Sequence, residues 1–363
     1  MPKRLASDKI LFSTVAMLTV FGILMVGSAS YFVAMKTTGS CYYFLMRQII
    51  YAVTGMLLLY FIMNRDYRIY KKKWIIHSFL VGIYALLLIV FTMPPVNGTQ
   101  RWIPLGLFSI QPSEFAKLAA IFFVAYWLDQ KKDSMDELKE VYAPCLAVVG
   151  TMALLIVLEP DLGTAFSLML TTCILFFLAG IRYKYISIIG ASALAVLAVM
   201  IMIAPYRIVR IISYLNPGAD PRGSNYQLIN SLVAIGSGGI TGKNFGAGLQ
   251  KAFFLPEPHT DFIYSVIGEE LGFIGTMLVL GAFFIILWRG VRISVRTQDR
   301  FGYFVAMGIT SMIVIQALLN IAVAIGLVPT KGMPLPFISY GGSSLLANLI
   351  GVGVLLNISQ HSD

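Results

Sequence analysis

Apolar residues along this chain gather into long runs separated by short polar segments. Ten runs approach or exceed the length of a bilayer-crossing helix: about 10–32, 46–63, 74–93, 113–128, 143–158, 163–180, 185–204, 262–288, 303–327 and 340–358. The fourth and fifth are short and carry polar residues. The pattern predicts an all-α polytopic membrane protein, a single transmembrane domain over residues 1–363. One large loop, 205–261, separates helices 7 and 8. Asn216-Pro-Gly and Asp220-Pro-Arg-Gly in that loop are turn signals. Ser224 and Gln227 then match a capping box, with Ser224 as N-cap. Tyr226, Ile229, Leu232 and Val233 recur at helical spacing, which predicts a short amphipathic helix over 225–235 lying at the membrane interface. The glycine-rich stretch from Gly236 to Gly248 has no closing Gly-Lys-Ser/Thr, so it reads as a close-packed loop rather than a nucleotide cradle.

Composition agrees. The chain of 363 residues is 58% hydrophobic and 12% charged, with a mean hydropathy of +0.81, which excludes a soluble domain of this size. A net charge of +10 raises nucleic acid as a partner. Its distribution argues against that. With the N-terminus in the cytoplasm, seventeen of the 27 Lys and Arg residues fall on inside segments, so the charge follows the positive-inside rule and both termini are cytoplasmic. The 129–142 segment reads as a solvated connector. The first apolar run is too long for a cleaved signal sequence. Cys41, Cys145 and Cys173 offer neither a disulfide framework nor a metal-binding spacing. Asn97-Gly-Thr is read as a turn rather than a glycosylation acceptor.

That topology brings every dense polar motif to one side. Asn97 to Trp102, Gln111 to Lys117, Glu159 to Gly163, Asp261 and Pro329 to Ser344 all flank outer helix ends, and their convergence predicts one cavity. Asp261 stands at the mouth of the apolar run from Phe262 to Trp288. A carboxylate there is costly unless a polar cavity receives it, and such a cavity tunes it for proton transfer. Glu114 and Lys117 are i, i+3 neighbours, either a self-contained ion pair or part of a binding site. Arg101, Lys117 and Lys331 are cations that an anionic headgroup would seek, although Lys331 alone could simply snorkel. Trp102 and Tyr340 suit sugar stacking or an aromatic belt. Asp161 caps or turns the chain, and Ser343 and Ser344 suit a helix cap. Of the histidines only His259 lies near these motifs. Glu269 and Glu270 need polar partners inside the bundle.

Gln111-Pro-Ser-Glu, Pro160-Asp-Leu-Gly-Thr, Pro256-Glu-x-His-Thr-Asp-Phe-Ile, Gly268-Glu-Glu-Leu-Gly and Ile338-Ser-Tyr-Gly-Gly-Ser-Ser together resemble the SEDS family (shape, elongation, division, sporulation). The resemblance runs from about residue 10 to 358, and Pro329-Thr-Lys-Gly is nearer the family's cell-division branch than its elongation branch. It implies ten helices in the bacterial cytoplasmic membrane and an active site facing the extracytoplasmic side. The implied activity is a peptidoglycan glycosyltransferase that polymerises lipid II into glycan strands at the outer leaflet. Asp261 is then the catalytic residue, a general base on the acceptor sugar hydroxyl. Around it the implied substrate-binding residues are Arg101, Trp102, Glu114, Lys117, Asp161, Lys331, Ser339 and Tyr340. The implied partners are lipid II, the undecaprenyl-pyrophosphate-linked glycan, a class B penicillin-binding protein as transpeptidase and other proteins of the division machinery. No cofactor is required by the resemblance, and a divalent cation has a place beside a pyrophosphate, but no ligand cluster in the sequence demands one. Two other classes stay open, a lipid II flippase and a non-catalytic scaffold. The chain departs from the family at Asn244, where glycine is usual, and at Gly248, where serine is usual.

Overall fold

The computed structural model describes residues 6–95, 99–106, 108–135, 137–203, 208, 214, 225–329 and 332–361. Ten long helices occupy these residues, one for each apolar run: α1 (Lys9–Thr38), α2 (Tyr43–Met63), α3 (Lys73–Val90), α4 (Pro112–Gln130), α5 (Ala143–Leu158), α6 (Leu162–Leu178), α7 (Tyr183–Ile203), α10 (Ile263–Arg296), α11 (Arg300–Ala324) and α12 (Gly342–Ser359). Between α7 and α10 lie α8 (Tyr226–Gly238) and the single turn α9 (Gln250–Phe253). Among the described residues seven helical segments are long and apolar enough to cross a membrane, while α6 is apolar but only 17 residues long. Beside α4 a small antiparallel hairpin pairs β1 (Ile103–Leu105) with β2 (Phe108–Ile110).

Local chemistry sets several boundaries. The Asp8 carboxylate accepts from the Leu11 N–H at 2.9 Å and starts α1, and Gly39 ends it at φ 72°. Asp161 starts α6 and Asp299 starts α11 in the same way. Pro112 stands in the first turn of α4, where its missing N–H costs nothing. α11 and α12 are buried on almost every face, and α4 fills the space between them and α6. α1, α2 and α3 keep broad apolar faces exposed, as lipid-facing helices must.

Three expectations need correction. First, the run from Phe262 onward is not one straight helix. Gly272 has φ 65° and ψ −161°, which breaks α10 into two halves. The loop after α8 supplies the missing acceptors: Gly239 O takes the Phe273 N–H at 2.9 Å and Ile240 O takes that of Ile274 at 3.2 Å. A Cβ at Gly272 would collide with the backbone of Ile240 and Gly242. Second, α8 runs three residues past the predicted 225–235, and besides its exposed apolar face it buries a small one. Leu228, Ser231, Ala234 and Gly238 are buried, while Leu232 and Val233 point outward. The inward face is small because α8 touches α10 backbone to backbone, and a Cβ at Gly238 would overlap Gly268 O. Its N-cap is Asn225, without a side-chain cap bond, and Ser224 lies outside the described residues. Third, the 129–142 connector is not wholly solvated, since Val141 and Tyr142 are buried against the core. In the glycine-rich stretch Gly238, Gly242 and Gly248 pack closely on α10 as expected, while Gly236, Gly239 and Gly246 have open space around them.

The two ends of the bundle differ. One end carries short connections braced by ion pairs: Lys71 with Asp129 at 2.8 Å and Asp299 at 3.6 Å, and Arg289 with Asp8. The other end carries the hairpin, the α5–α6 turn, α8, α9 and the α11–α12 connection. It is called the loop-rich end below.

Candidate active site at the loop-rich end

Asp261 sits in the turn leading into α10, half-buried. Its main chain is fixed from α11, where the Asn320 amide donates to Asp261 O at 2.9 Å and to Met333 O at 2.7 Å. Its side chain lies against Gly332, whose added Cβ would stand 3.0 Å from Oδ2. The α11–α12 connection therefore wraps the carboxylate closely. Ser339 tightens the wrap: its Oγ donates to Thr260 O at 2.6 Å and accepts from Leu335 N at 2.8 Å. Tyr340 N donates to His259 O at 2.8 Å, and Gln48 on α2 donates to Ser339 O at 3.3 Å. Ser339 is thus a buried brace for the segment that carries Asp261.

One helical turn along α11 from Asn320, Gln316 reaches the other half of the site. Its amide nitrogen donates to Pro334 O at 2.9 Å and Ser344 Oγ at 3.0 Å, and its oxygen accepts from Lys117 Nζ at 2.7 Å. Lys117 Nζ also lies 2.9 Å from Glu114 Oε2, and both side chains are buried. Of the two readings open from the sequence, the ion pair is what the geometry contains. Such a pair needs every partner it has in a low-dielectric interior, and Gln316 supplies one. Gln316 and Asn320 are i, i+4 on one face, so a single helix positions the Glu114–Lys117 pair and the main chain of Asp261 together.

The α5–α6 turn closes a further side. Asp161 caps α6, accepting from Thr164 N at 3.1 Å and Thr164 Oγ1 at 2.8 Å, and from Gln111 Nε2 at 3.1 Å. Gln111 N donates in turn to Ser343 Oγ at 2.9 Å, and that hydroxyl donates to Ser109 O at 3.2 Å. Arg101 spans Glu159 O at 2.9 Å and Pro160 O, holding the strained turn in which Pro160 has φ 34°. The Glu159 carboxyl is fully buried, and neither oxygen has a hydrogen-bond partner. Burial first, then the Asp161 charge, pushes it up to about 8 against the pull of Arg101. It is a neutral acid at pH 7. His259 is buried beside Phe44 and Tyr340, and desolvation lowers it to about 4. Its 3.8 Å approach to Glu257 is therefore not an ion pair at neutral pH, and His259 packs rather than acts as a base.

Trp102 is half-buried just before β1, and Tyr340 is half-buried against Phe44 and Arg47. Lys331 lies outside the described residues. Arg47 on α2, Gln48, Gln316 and Asn320 were not expected from the sequence. Each is a polar side chain inside or at the mouth of an apolar run, and that cost is a signal in itself. Among the described residues no group of three His, Cys, Asp or Glu side chains converges, so a divalent cation finds no ready protein ligand set there.

Glu269 and Glu270 find the polar partners expected of them. Glu269 accepts from Lys243 Nζ at 3.1 Å and from the N–H groups of Leu249 at 2.9 Å and Gln250 at 3.2 Å. Glu270 accepts from Ser28 Oγ at 2.7 Å, from Gly246 N at 2.9 Å and from the buried Lys251. These carboxylates latch residues 242–251 onto the α10 break, two turns beyond Asp261. The two family departures sit in this latch. Asn244 holds φ 83°, where glycine would be relaxed, and a Cβ at Gly248 would stand 2.8 Å from Glu269 Oε2.

A family model described as "Cell cycle protein", covering FtsW, RodA and SpoVE, matches residues 8–363. The chain is 44% identical over 365 residues to stage V sporulation protein E of Bacillus subtilis, covering 99% of both chains. It is also 44% identical over 361 residues to a probable peptidoglycan glycosyltransferase FtsW of Trichlorobacter lovleyi, covering 99% of this chain and 94% of the relative. Identity thus does not separate the sporulation branch from the division branch. Among solved structures, a chain from a study of structural coordination of polymerization and crosslinking by a peptidoglycan synthase complex superposes with a TM-score of 0.80. It is 30% identical, covering 99% of this chain and 100% of that one. The rod shape determining protein RodA of Thermus thermophilus superposes at 0.72 with 26% identity over the whole of both chains.

Proposed function

The chain belongs to the FtsW, RodA and SpoVE family, and from that premise we propose that it polymerises lipid II as a peptidoglycan glycosyltransferase with Asp261 as general base. The observation that carries this reading is the half-buried Asp261, its carboxylate set against Gly332 and its main chain fixed to Asn320. The acceptor offers the C4 hydroxyl of its N-acetylglucosamine. Asp261 takes that proton as the oxygen attacks the anomeric carbon of the donor strand. The bond to the pyrophosphate breaks from the opposite face, undecaprenyl pyrophosphate leaves with the electron pair, and the centre inverts. A positioned base contributes roughly 10²–10⁴ in rate.

The remaining side chains divide by their commitments. Arg101, Arg47 and Lys331 are the cations suited to neutralise the departing pyrophosphate. Lys117 and Glu114, buried with Gln316, hold the shape of the site, as do Asp161 and Ser339. Trp102 and Tyr340 are suited to stack on sugar rings. Substrate enters sideways from the bilayer, the route its lipid tail requires. The loop-rich end faces the outside in this reading, on the strength of the charge distribution in the connecting segments. Crosslinking of the product falls to a class B penicillin-binding protein.

Purified protein incubated with lipid II in liposomes tests the reading. Glycan strands should form without an added polymerase. Labelled lipid II crossing the bilayer with no polymer made would instead favour a flippase.

A further inference from the structure

At the end opposite the candidate active site, a cavity of about 370 Å³ opens between the start of α1 and the last turns of α10. Four cations line it: Lys9, Arg289, Arg292 and Arg296. The three arginines share one face of α10 at i, i+3 and i+7. One carboxylate, Asp8, lines it too, and it is already spent. It accepts from Arg289 Nε at 2.8 Å and caps α1 through the Leu11 N–H. Lys9, Arg292 and Arg296 are exposed and have no ion-pair or hydrogen-bonding partner among the described residues. Lys9 also occupies the first position of α1, the positive end of that helix, where a cation is unfavourable. Three cations with no partner among the described residues, and a helix N-terminus, around one hollow favour an anion between them.

The surroundings decide which anion. Trp288, 51% exposed with the Arg289 guanidinium 5.4 Å from its ring, stands one turn before the cavity, as an interfacial tryptophan does. Ile10, which lines the cavity, is exposed, and the same two helix segments carry exposed Phe12 and Val295. A ligand there meets cations with its head and hydrocarbon-compatible surface with its body. The geometry points to a binding site for the phosphate of an anionic glycerophospholipid, held by Lys9, Arg292 and Arg296 in the leaflet away from the candidate active site. The lipid ties α1 to the far half of α10, the helix whose other end carries Asp261.

The full chain, purified and delipidated in mild detergent, is titrated with phosphatidylglycerol or phosphatidylcholine and the bound lipid is read by native mass spectrometry. The wild type should retain phosphatidylglycerol preferentially. Arg292→Gln with Arg296→Gln should bind it about thirtyfold more weakly, which is about 2 kcal/mol, or about 1 kcal/mol for each basic side chain near a lipid surface. Lys9→Gln alone should weaken it about fivefold by the same reasoning. These side chains are exposed, so the variants should elute as the wild type does. Equal retention of both lipids, or unchanged preference in the double variant, would mean that the arginines serve only membrane orientation and would overturn the site. Displacement of the lipid by inorganic phosphate at matched concentration would overturn its assignment to a lipid.

Discussion

Removing the cation of one buried pair should free the loop near the candidate site without unfolding the bundle. Lys251 and Glu270 are 2% and 0% exposed, whereas Lys243, paired with the equally buried Glu269, is 35% exposed. Lys251→Met keeps the side-chain length and strands the Glu270 carboxylate with only Ser28 and Gly246 N. Leaving a buried charge uncompensated costs about 3–5 kcal/mol. Lys243→Met removes a partner that water partly replaces, and its cost should stay near 1 kcal/mol. The loss falls on residues 242–251, because they meet the rest of the chain through these carboxylates and the α10 break. Hydrogen exchange with mass spectrometry reads it directly. In Lys251→Met the amides of Gly246, Leu249 and Gln250 should exchange about 10²–10⁴ times faster, since each 1.4 kcal/mol of opening energy is tenfold. In Lys243→Met the change should be less than about tenfold. The helix amides of α11 and α12 should not change in either. Pairing Lys251→Met with Glu270→Gln should restore much of the protection, because the stranded charge is gone. Equal effects of the two lysine variants, or loss of protection throughout the bundle, would refute the latch.

Further outcomes concern the site. Gly332→Ala puts a Cβ 3.0 Å from Asp261 Oδ2, so the carboxylate must give by a few tenths of an ångström, and the effect on rate should stay below the roughly 10²-fold cost of a full ångström of misplacement. Its polymerisation rate should fall by about tenfold or less at unchanged melting temperature, and a wild-type rate would contradict the packing described. Glu159 is raised from 4.5 to about 8 in the folded chain, so the protonated acid contributes stability that is complete below about pH 4.5 and is lost as pH rises through 8, by about 1.4 kcal/mol per unit. Melting curves of Glu159→Gln should therefore keep their midpoint between pH 5 and 8 while those of the wild type drift down, and parallel curves would remove the buried neutral acid. Asn320→Leu abolishes two hydrogen bonds to the segments on either side of the site. It should cost about 1–3 kcal/mol by leaving buried carbonyls unpaired, and polymerisation should weaken with it, which a combined thermal and rate assay would read.

Much of the fold was legible in the sequence because a bilayer imposes one length on every spanning helix. The ten apolar runs are the ten long helices, including α4 with its buried Glu114 and Lys117. The break in α10 was not legible. Gly272 sits in an apolar stretch that looks continuous, and the carbonyls that replace its helical bonds come from Gly239 and Ile240, more than thirty residues earlier. The buried small face of α8 was not legible for a related reason. Hydrophobic recurrence finds the greasy side, but close backbone contact with Gly268 selects the small side, Ser231, Ala234 and Gly238. At the site, the clustering of Gln111, Asp161, Asp261 and Ser343 at one end followed from counting spans. The roles of Gln316 and Asn320 did not, since their partners lie across the bundle. The desolvation of Glu159 and His259 is likewise a property of their neighbours and not of their motifs.

The central claim is that Asp261 moves a proton. Purified Asp261→Asn, folded as judged by its melting curve, should bind lipid II as the wild type does and elongate glycan strands at least about 10²-fold more slowly, the contribution of a general base. Strands made at the wild-type rate by that variant would contradict the account.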